Sequence, residues 1–463
     1  MRTKIRKTIS VVALGFLLAL TGQSRASTFV SGSVSGTWIT AGSPYVATDN
    51  LTVPNGETLT IQPGVTLIMG QGLKLDVEGA ITAIGTAGSP IIIRGANSSM
   101  YWDKLYINYT TGAQSSFVNC NISEATNCIY LNIEQITATM DPRIENCVFS
   151  NCVDTCISAV SSASFTRNIL YYLECSTALN GLIANCRFES SSNGIHLHVD
   201  GNYDPDWFSG TGAINTVVRN NNFQDISGTA VQFEIGEVTN GSLLLGPSNP
   251  KLINSILRQC GIGVLKVGSS SSFHEDLSYN CFYANSTNFV GYPAGIYGTI
   301  CCVNARGTNC DLANNIFVDP LFANPTDYTL AENSPCIDAG SLDWALTDMC
   351  FPPSQGTAMP DLGTYGGPNA ANWLSVVPKV SAQLSLSKSN SLLWLNWGAI
   401  PRSSYQVQFL ATNLNATSGT NKWLNGSTVV AADRPMSIAV SPYPATNSNA
   451  FYRLKNLGRV PGN

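Results

Sequence analysis

The stretch from Asn185 to Val199 reads Asn-Cys-Arg-Phe-Glu-Ser-Ser-Ser-Asn-Gly-Ile-His-Leu-His-Val. The same pattern of residue types recurs along the chain with different residues. An Asn with a small or polar neighbour and an apolar pair is followed, about ten residues later, by a strand that alternates apolar and polar side chains. The Asn segments begin at Asn119, Asn146, Asn185, Asn220, Asn254, Asn280 and Asn314. The alternating strands are Ile129 to Ile133, Ile157 to Ser161, Ile195 to Val199, Val231 to Ile235 and Gly263 to Val267. The intervals between these Asn residues run from 26 to 39 residues, and a repeat of this size predicts a solenoid of stacked coils.

The alternation assigns each strand two faces, because successive side chains of a strand point in opposite directions. We expect Ile195, Leu197 and Val199 to point into the coil and His196, His198 and Asp200 to point outward. The predicted buried rows are Ile129/Ile157/Ile195/Val231 and Leu131/Ala159/Leu197/Phe233/Leu265. The recurrent Asn residues are predicted to stack at a turn, each bonding its copy above, because Asn tolerates left-handed backbone.

Two further segments carry a resemblance to a known family. Residues 51–95 contain Leu51-Thr52-Val53-Pro54-Asn55-Gly56 and Leu59-Thr60-Ile61-Gln62-Pro63-Gly64-Val65, which are strand and tight-turn signals. Residues 319–363 contain Asp319-Pro320-Leu321-Phe322, Ser334-Pro335-Cys336-Ile337-Asp338-Ala339-Gly340 and Asp361-Leu362-Gly363. These phrases resemble the opening and closing segments of secreted bacterial right-handed parallel β-helix proteins of the pectate-lyase-like superfold. The resemblance implies the architecture and export, and it favours turn-forming roles for Asp319, Asp338 and Asp361.

We therefore predict an all-β chain with three parts. Residues 1–26 have a basic start and a short apolar core and are predicted to be a cleaved signal peptide, with a retained membrane anchor as the alternative. Residues 27–376 are predicted to form the right-handed parallel β-helix. In residues 377–463, strands such as Leu392 to Trp397, Tyr405 to Leu410 and Phe451 to Leu454 are separated by Asn/Ser/Gly/Pro turns. This pattern is similar to that of fibronectin type III modules and predicts a small antiparallel β-sandwich. We expect a secreted, cell-surface or periplasmic monomer without a membrane span in the mature chain.

The composition narrows the classes of partner. Charged residues make up only 11% of the chain, and the formal net charge is −5. This balance, without a basic cluster, argues against a nucleic-acid partner. It suits an exported protein whose surface forms neutral hydrogen bonds.

The chain has 14 cysteines, and an oxidising compartment would permit disulfides. A Cys336–Cys350 disulfide is one expectation. Four other cysteines are predicted to stack as small apolar side chains at one position of successive coils. They are Cys120, Cys147, Cys186 and Cys281.

The outward face of the alternating strands holds the candidate site. We predict a column of His198, Glu234 and Lys266, since parallel strands lie about 4.8 Å apart. Beside it, His196 should lie next to Gln232, and Tyr130 should belong to a preceding coil. His196, His198, Glu234 and Lys266 are the candidates for acid/base chemistry, and Tyr130 and Gln232 for substrate binding. The group could also bind an anionic glycan or a metal, and the alternative is an ordinary solvated face.

Downstream, oxygen donors stand at every second residue, at Asp200, Asn202, Asp204 and Asp206. This spacing resembles the start of a Ca²⁺-binding loop. Pro205 stands where such a loop needs Gly, and no Glu occupies the twelfth position, so a turn-rich inserted loop is the alternative. Trp207 and Phe208 at its tip would suit stacking on a sugar in either case.

The sequence leaves three classes of function open. β-Helix enzymes that cleave pectin-like polymers carry recognisable motifs, and the hydrolase phrases Asn-Thr-Asp, Asp-Asp and Gly-His-Gly do not occur here. We expect a protein that binds a polysaccharide or cell-surface glycan. A more specific form of this prediction is that the protein also processes the glycan. A lyase or hydrolase and a non-catalytic structural or adhesive protein are the alternatives.

Overall fold

The computed structural model describes most of the chain up to residue 374 and the strands that follow. The described ranges are 27–108, 115–133, 137–161, 173–199, 202–204, 208–236, 246–293, 295–324, 326–374, 385–389, 392–397, 403–411, 424–430, 436–440 and 450–459. In these ranges regular structure consists of strands and three short 3₁₀ helices, Thr40–Gly42, Trp344–Leu346 and Ala370–Trp373. None of their helices has the length and apolar character needed to cross a bilayer.

The strands stack into three long parallel ladders, which are the faces of a solenoid. The first ladder contains Gly36–Trp38, Thr58–Ile61, Ala80–Ile84, Ser116–Val118, Arg143–Glu145, Leu182–Ala184, Val217–Arg219, Lys251–Ile253 and Asp276–Ser278. The second contains Thr66–Met69, Ile91–Gly95, Cys120–Ser123, Val148–Ser150, Arg187–Glu189, Asn222–Gln224, Ile256–Arg258 and Cys281–Tyr283. The third contains Leu75–Val77, Trp102–Asn108, Ala125–Ile133, Thr155–Ser161, Asn193–Val199, Thr229–Ile235, Ile262–Val267 and Thr287–Val290. Thr28–Ser33 and Tyr45–Val53 are longer and join the second and third ladders at the N-terminal end.

Each coil passes from the first ladder to the second and then to the third. The all-β, parallel repeat architecture predicted from the sequence is confirmed, whereas the right-handed sense of the coil and the domain boundaries stay predictions. Left-handed residues stand at two corners of the coil. Asn119, Asn146, Asn185, Asn220, Asn254 and Tyr279 mark the corner before the second ladder, and Glu124, Asn151, Ser190, Asp225, Gln259 and Ala284 the corner before the third. Asn dominates the first corner because its short polar side chain tolerates positive φ.

The core is built from side chains that repeat at one position per coil. The row Ile129/Ile157/Ile195/Val231 is in register and buried, as predicted. The second predicted row is confirmed from Leu131 to Phe233. In the second ladder Phe149, Phe188 and Phe223 stack with ring centroids 5.1 and 4.6 Å apart. Burial of these rows supplies the main driving force for stacking the coils.

The hydrogen-bonded ladder of polar side chains lies one position after the predicted Asn turn. The backbone N–H of Cys186 donates to Asn221 Oδ1 over 2.8 Å, and the N–H of Ser255 donates to Asn280 Oδ1 over 2.9 Å. Asn280 therefore belongs to this inner row, and Tyr279 takes the corner position that the sequence prediction gave to Asn280. The prediction that the corner Asn side chains bond their copies was wrong for Asn185 and Asn220, which bond the C-terminal part of the chain instead.

The cysteine predictions are confirmed only in part. Cys120, Cys147 and Cys186 are buried and follow one another in successive coils. The register pairs Cys281 with Ile256, one position away from that column, because Asn280 belongs to the row of Asn221. Cys336 and Cys350 form no disulfide in the described structure. A disulfide joins Cys128 to Cys152 in neighbouring coils, which the sequence did not indicate.

Residues 361–373, named here the C-terminal strap, run back along the corner Asn residues. Asn220 Nδ2 donates to the carbonyl of Asp361 over 3.0 Å. One coil earlier, Asn185 Nδ2 donates to the carbonyls of Thr364 and Gly366 over 2.8 and 2.7 Å. The corner side chains thus hold a second layer of backbone along the edge of the solenoid, in place of water.

Smaller sheets complete the described structure. Thr137–Met140, Leu173–Leu179, Phe208–Ile214 and Asn202–Asp204 form an inserted four-stranded sheet, and Cys302–Val303 with Asn309–Cys310 and Phe322–Asn324 with Thr329–Leu330 form antiparallel pairs. Near the C-terminus, Ser385–Ser389, Leu392–Trp397 and Met436–Val440 form one antiparallel sheet, and Leu424–Val430, Ser403–Ala411 and Ala450–Arg459 another. Face-to-face packing of these last two sheets into a sandwich stays a prediction.

Candidate functional site

The outward rows of the third ladder position the candidate site. Strand pairing places one residue of each coil in register, so that Tyr106, Tyr130, Ser158, His196 and Gln232 form a single outward row. A second outward row, two residues further along each strand, includes Asn108, Asn132, His198 and Glu234. The alternation of each strand creates these rows, because the intervening side chains fill the core.

His196, His198 and Glu234 form a compact cluster at one end of these rows. His196 Nε2 lies 2.8 Å from Glu234 Oε2, and His198 Nδ1 lies 3.6 Å from Glu234 Oε1. Gln232 Nε2 donates to Glu234 Oε2 over 3.0 Å. The side chains of the cluster are between 20 and 31% exposed, which leaves them in reach of a ligand while they are partly shielded from water.

The environment keeps His196 neutral at neutral pH. Burial lowers the pKa of His196 below its ordinary value of 6.5, and the neighbouring Glu234 carboxylate offsets part of that effect. Since a carboxylate only accepts hydrogen bonds, the neutral imidazole donates from Nε2 to Glu234. The pair can therefore hold or transfer a proton, or exchange that proton for a cation.

Lys266 does not join this column, and the prediction for it was wrong. The register places Val267 opposite Glu234 and Lys266 opposite the core residue Phe233. Val264 and Leu265 are consecutive apolar residues, so the alternation left an ambiguity of one position. Lys266 Nζ instead contacts Glu275 Oε1 at 2.7 Å and lies over the Phe273 ring. Leu265 correspondingly leaves the predicted buried row and stands opposite Gln232.

Tyr130 lies where the sequence predicted, beside an aromatic neighbour that the prediction missed. The ring centroids of Tyr106 and Tyr130 are 5.6 Å apart, and Lys104 Nζ lies 5.3 Å from the Tyr130 ring. Asn132 Nδ2 donates to Tyr106 Oη over 2.7 Å. Residues 104–108, Lys-Leu-Tyr-Ile-Asn, alternate like the later strands, and this signal could have added Tyr106 and Lys104 to the site.

The predicted calcium segment is described only in part. Asn202 and Asp204 belong to the strand Asn202–Asp204, which pairs antiparallel with Phe208–Ile214, where Phe208 is the first residue. Asp200, Asp206 and Trp207 lie outside the described residues. The Ca²⁺ site and the sugar-stacking role of Trp207 and Phe208 therefore stay predictions.

Comparison with known proteins adds no functional assignment. No protein-family model matches the chain, and no curated protein matches it. The arguments about function consequently depend on the outward rows and on the His196/His198/Glu234 cluster.

Proposed function

We propose that the chain is an exported parallel β-helix protein that binds a polysaccharide along the outward rows of the third ladder. The coil is taken as right-handed, because parallel crossover connections almost always are. The C-terminal sheets are taken as an appended fibronectin-III-like sandwich. The observation that carries the proposal is the single row of Tyr106, Tyr130, Ser158, His196 and Gln232.

The spacing of the row supports a polymeric ligand. Equivalent side chains of successive coils recur about every 4.8 Å. A chain of sugars likewise repeats its hydroxyl groups at a regular interval, so a linear glycan meets several coils at once. Contacts of that kind add up along the polymer, whereas a single sugar would meet only one or two of them.

The chemistry of the row also suits sugars. Tyr106 and Tyr130 provide aromatic rings with a hydroxyl group, and such side chains combine apolar contact with hydrogen bonding. Gln232 provides a neutral donor and acceptor, and Lys104 provides a cation beside Tyr130. This combination favours a glycan with hydroxyl groups and some negative charge.

A lyase or hydrolase is the second candidate, favoured by the 2.8 Å contact between His196 and Glu234. A base beside a carboxylate in a partly shielded position is suited to proton transfer. A structural or adhesive surface protein without catalysis is the remaining alternative. Release of reducing ends or of unsaturated uronides from the bound polysaccharide would identify the catalytic form.

A glycan array with a parallel degradation assay tests the proposal. The parent protein should retain at least one class of polysaccharide, and Tyr130→Ala should weaken that binding, because it removes a ring that offers both apolar contact and a hydroxyl group. Tyr283→Ala is the matched control, because Tyr283 is a half-buried tyrosine of the second ladder. Binding without degradation would exclude an enzyme. The absence of both binding and degradation would favour a structural protein.

A further inference from the structure

We propose that His196, His198 and Glu234 bind one divalent first-row transition-metal ion, for which Zn²⁺ is the best match. Each residue offers one ligand atom, and these atoms lie within 4.8 Å of one another. Two imidazole nitrogens and one carboxylate oxygen are ligands that suit zinc, with a further position left open.

The strand register fixes the positions from which these ligands reach. His196 and His198 are two residues apart on one strand and so face the same side. Glu234 stands directly opposite His198 on the next strand of the third ladder. The three Cα atoms are therefore held by backbone pairing, and the site needs only side-chain rotation to form.

The distances require small adjustments for a metal. With bonds near 2.1 Å, ligand atoms of a tetrahedral zinc site lie about 3.4 Å apart. The 3.6 Å between His198 Nδ1 and Glu234 Oε1 is close to this value, but the contact to His196 uses the other oxygen, Oε2, so the carboxylate must rotate for one oxygen to face both imidazoles. The 2.8 Å between His196 Nε2 and Glu234 Oε2 is a hydrogen-bond distance and would lengthen as the ion replaces the bridging proton. That proton moves to Nδ1 of the same neutral imidazole, so the ring keeps its charge.

Gln232 supplies an outer contact that orients the carboxylate. Its Nε2 donates to Glu234 Oε2 over 3.0 Å. Outer hydrogen bonds of this type hold a metal ligand in place, and their loss typically lowers metal affinity by 10–100-fold. Gln232 thus offers a graded variant, which should weaken the site without removing a ligand.

The open coordination position gives the site a role in recognition, and this step rests on the proposed function. The ion would lie at the row that includes Tyr130 and Ser158, within reach of a bound glycan. An oxygen of the glycan could replace water at the ion, and a carboxylate would bind most strongly because it is charged. The inferred ligand class is therefore a uronate-bearing polysaccharide held partly through the metal.

Titration calorimetry with ZnCl₂ tests the metal site in the full-length chain. Cys301 and Cys302 carry sulfur atoms 3.4 Å apart at the surface and would compete for zinc, so the titrations use a Cys301→Ser/Cys302→Ser background. We expect one ion per chain, a 10–100-fold weaker affinity in Gln232→Ala, and a larger loss in His198→Ala and in Glu234→Gln. The exposed residue His274 provides the matched control, and His274→Ala should bind as the background protein does. Absence of zinc binding by the background protein, or unchanged binding in both ligand variants, would overturn the proposal.

The same proteins separate the metal site from the proposed function. Retention on a uronate polysaccharide is measured with saturating Zn²⁺ and after treatment with a chelator. Zinc binding with weaker retention after chelation supports both proposals. Zinc binding without retention on any glycan leaves the metal site standing and overturns the glycan function. Equal retention in both conditions overturns the role of the metal in recognition.

Discussion

His196 Nε2 lies 2.8 Å from Glu234 Oε2, although 38 positions separate the two residues in the chain. The Glu234 carboxylate contacts His196 diagonally across the two strands, because the strand register places Glu234 directly opposite His198. Repeat length therefore creates the contact, since one turn of the solenoid returns the chain to the same face about 4.8 Å further on. A site built in this way depends on the stacking of the coils, and the first predictions concern that stacking.

Leu197→Asp should prevent folding of the solenoid. Leu197 is only 1% exposed and lies in the core row with Ala159 and Phe233. An unpaired carboxylate in that position would cost several kcal/mol. Yield of secreted protein and the melting temperature measure the effect, and Asn121→Asp on an exposed position is the control. Normal secretion and melting of Leu197→Asp would contradict the assigned face.

Asn185→Gly should loosen the C-terminal strap while preserving the turn. Glycine keeps the left-handed backbone, whose φ is 54° at Asn185, but removes the two bonds to Thr364 and Gly366. We expect a loss of about 1–3 kcal/mol, because each net hydrogen bond contributes about 0.5–1.5 kcal/mol. Amide hydrogen exchange of residues 361–373 measures this loss of stability. Asn151→Gly, at an exposed corner with φ of 54°, controls for the added backbone freedom, and equal exchange in the two variants would refute the anchoring role.

The stability of the strap should decrease as pH rises from about 4 to 8. Burial raises the pKa of Asp361 to about 8, and burial also raises the pKa of Asp348, whose carboxylate accepts from the N–H of Asp361. The folded state then holds these protons more tightly than the unfolded chain, in which an Asp titrates near pH 3.9. The stabilisation is complete below that value and is lost as pH approaches 8. Melting across this range should show a decline that is smaller in Asp348→Asn. A parent whose stability rises relative to this variant between pH 5 and 8 would reverse the sign.

Sequence periodicity was sufficient to assign the inward and outward faces of the strands, but it did not fix the register of every strand. The row from Ile129 to Val231 follows from strict alternation. The prediction also placed His196 beside Gln232 and Tyr130 on the outward face of a preceding coil, as the strand register has them. Lys266 was misplaced because Val264 and Leu265 break the alternation. Cys281 was misplaced because Asn280-Cys281 imitates the earlier Asn-Cys pairs while lying one position out of register.

Contacts between distant segments could not be predicted from the sequence pattern. Asn185 and Thr364 are 179 positions apart, and no periodicity relates the strap to the corner residues that bind it. The Cys128–Cys152 disulfide was equally hidden, since cysteine spacing does not fix connectivity. The compact geometry of His196, His198 and Glu234 required the side-chain positions, although their common face was predictable.

The most direct test of the central claim is the affinity of the solenoid for the polysaccharide that the glycan array identifies. Calorimetry would compare the parent protein with Tyr106→Ala/Tyr130→Ala and with the second-ladder control Tyr283→Ala. The account predicts that the double variant binds at least several-fold more weakly, because it removes both rings of the outward row, while the control binds as the parent does. Equal affinity of all three proteins would contradict the assignment of the third ladder as the binding face.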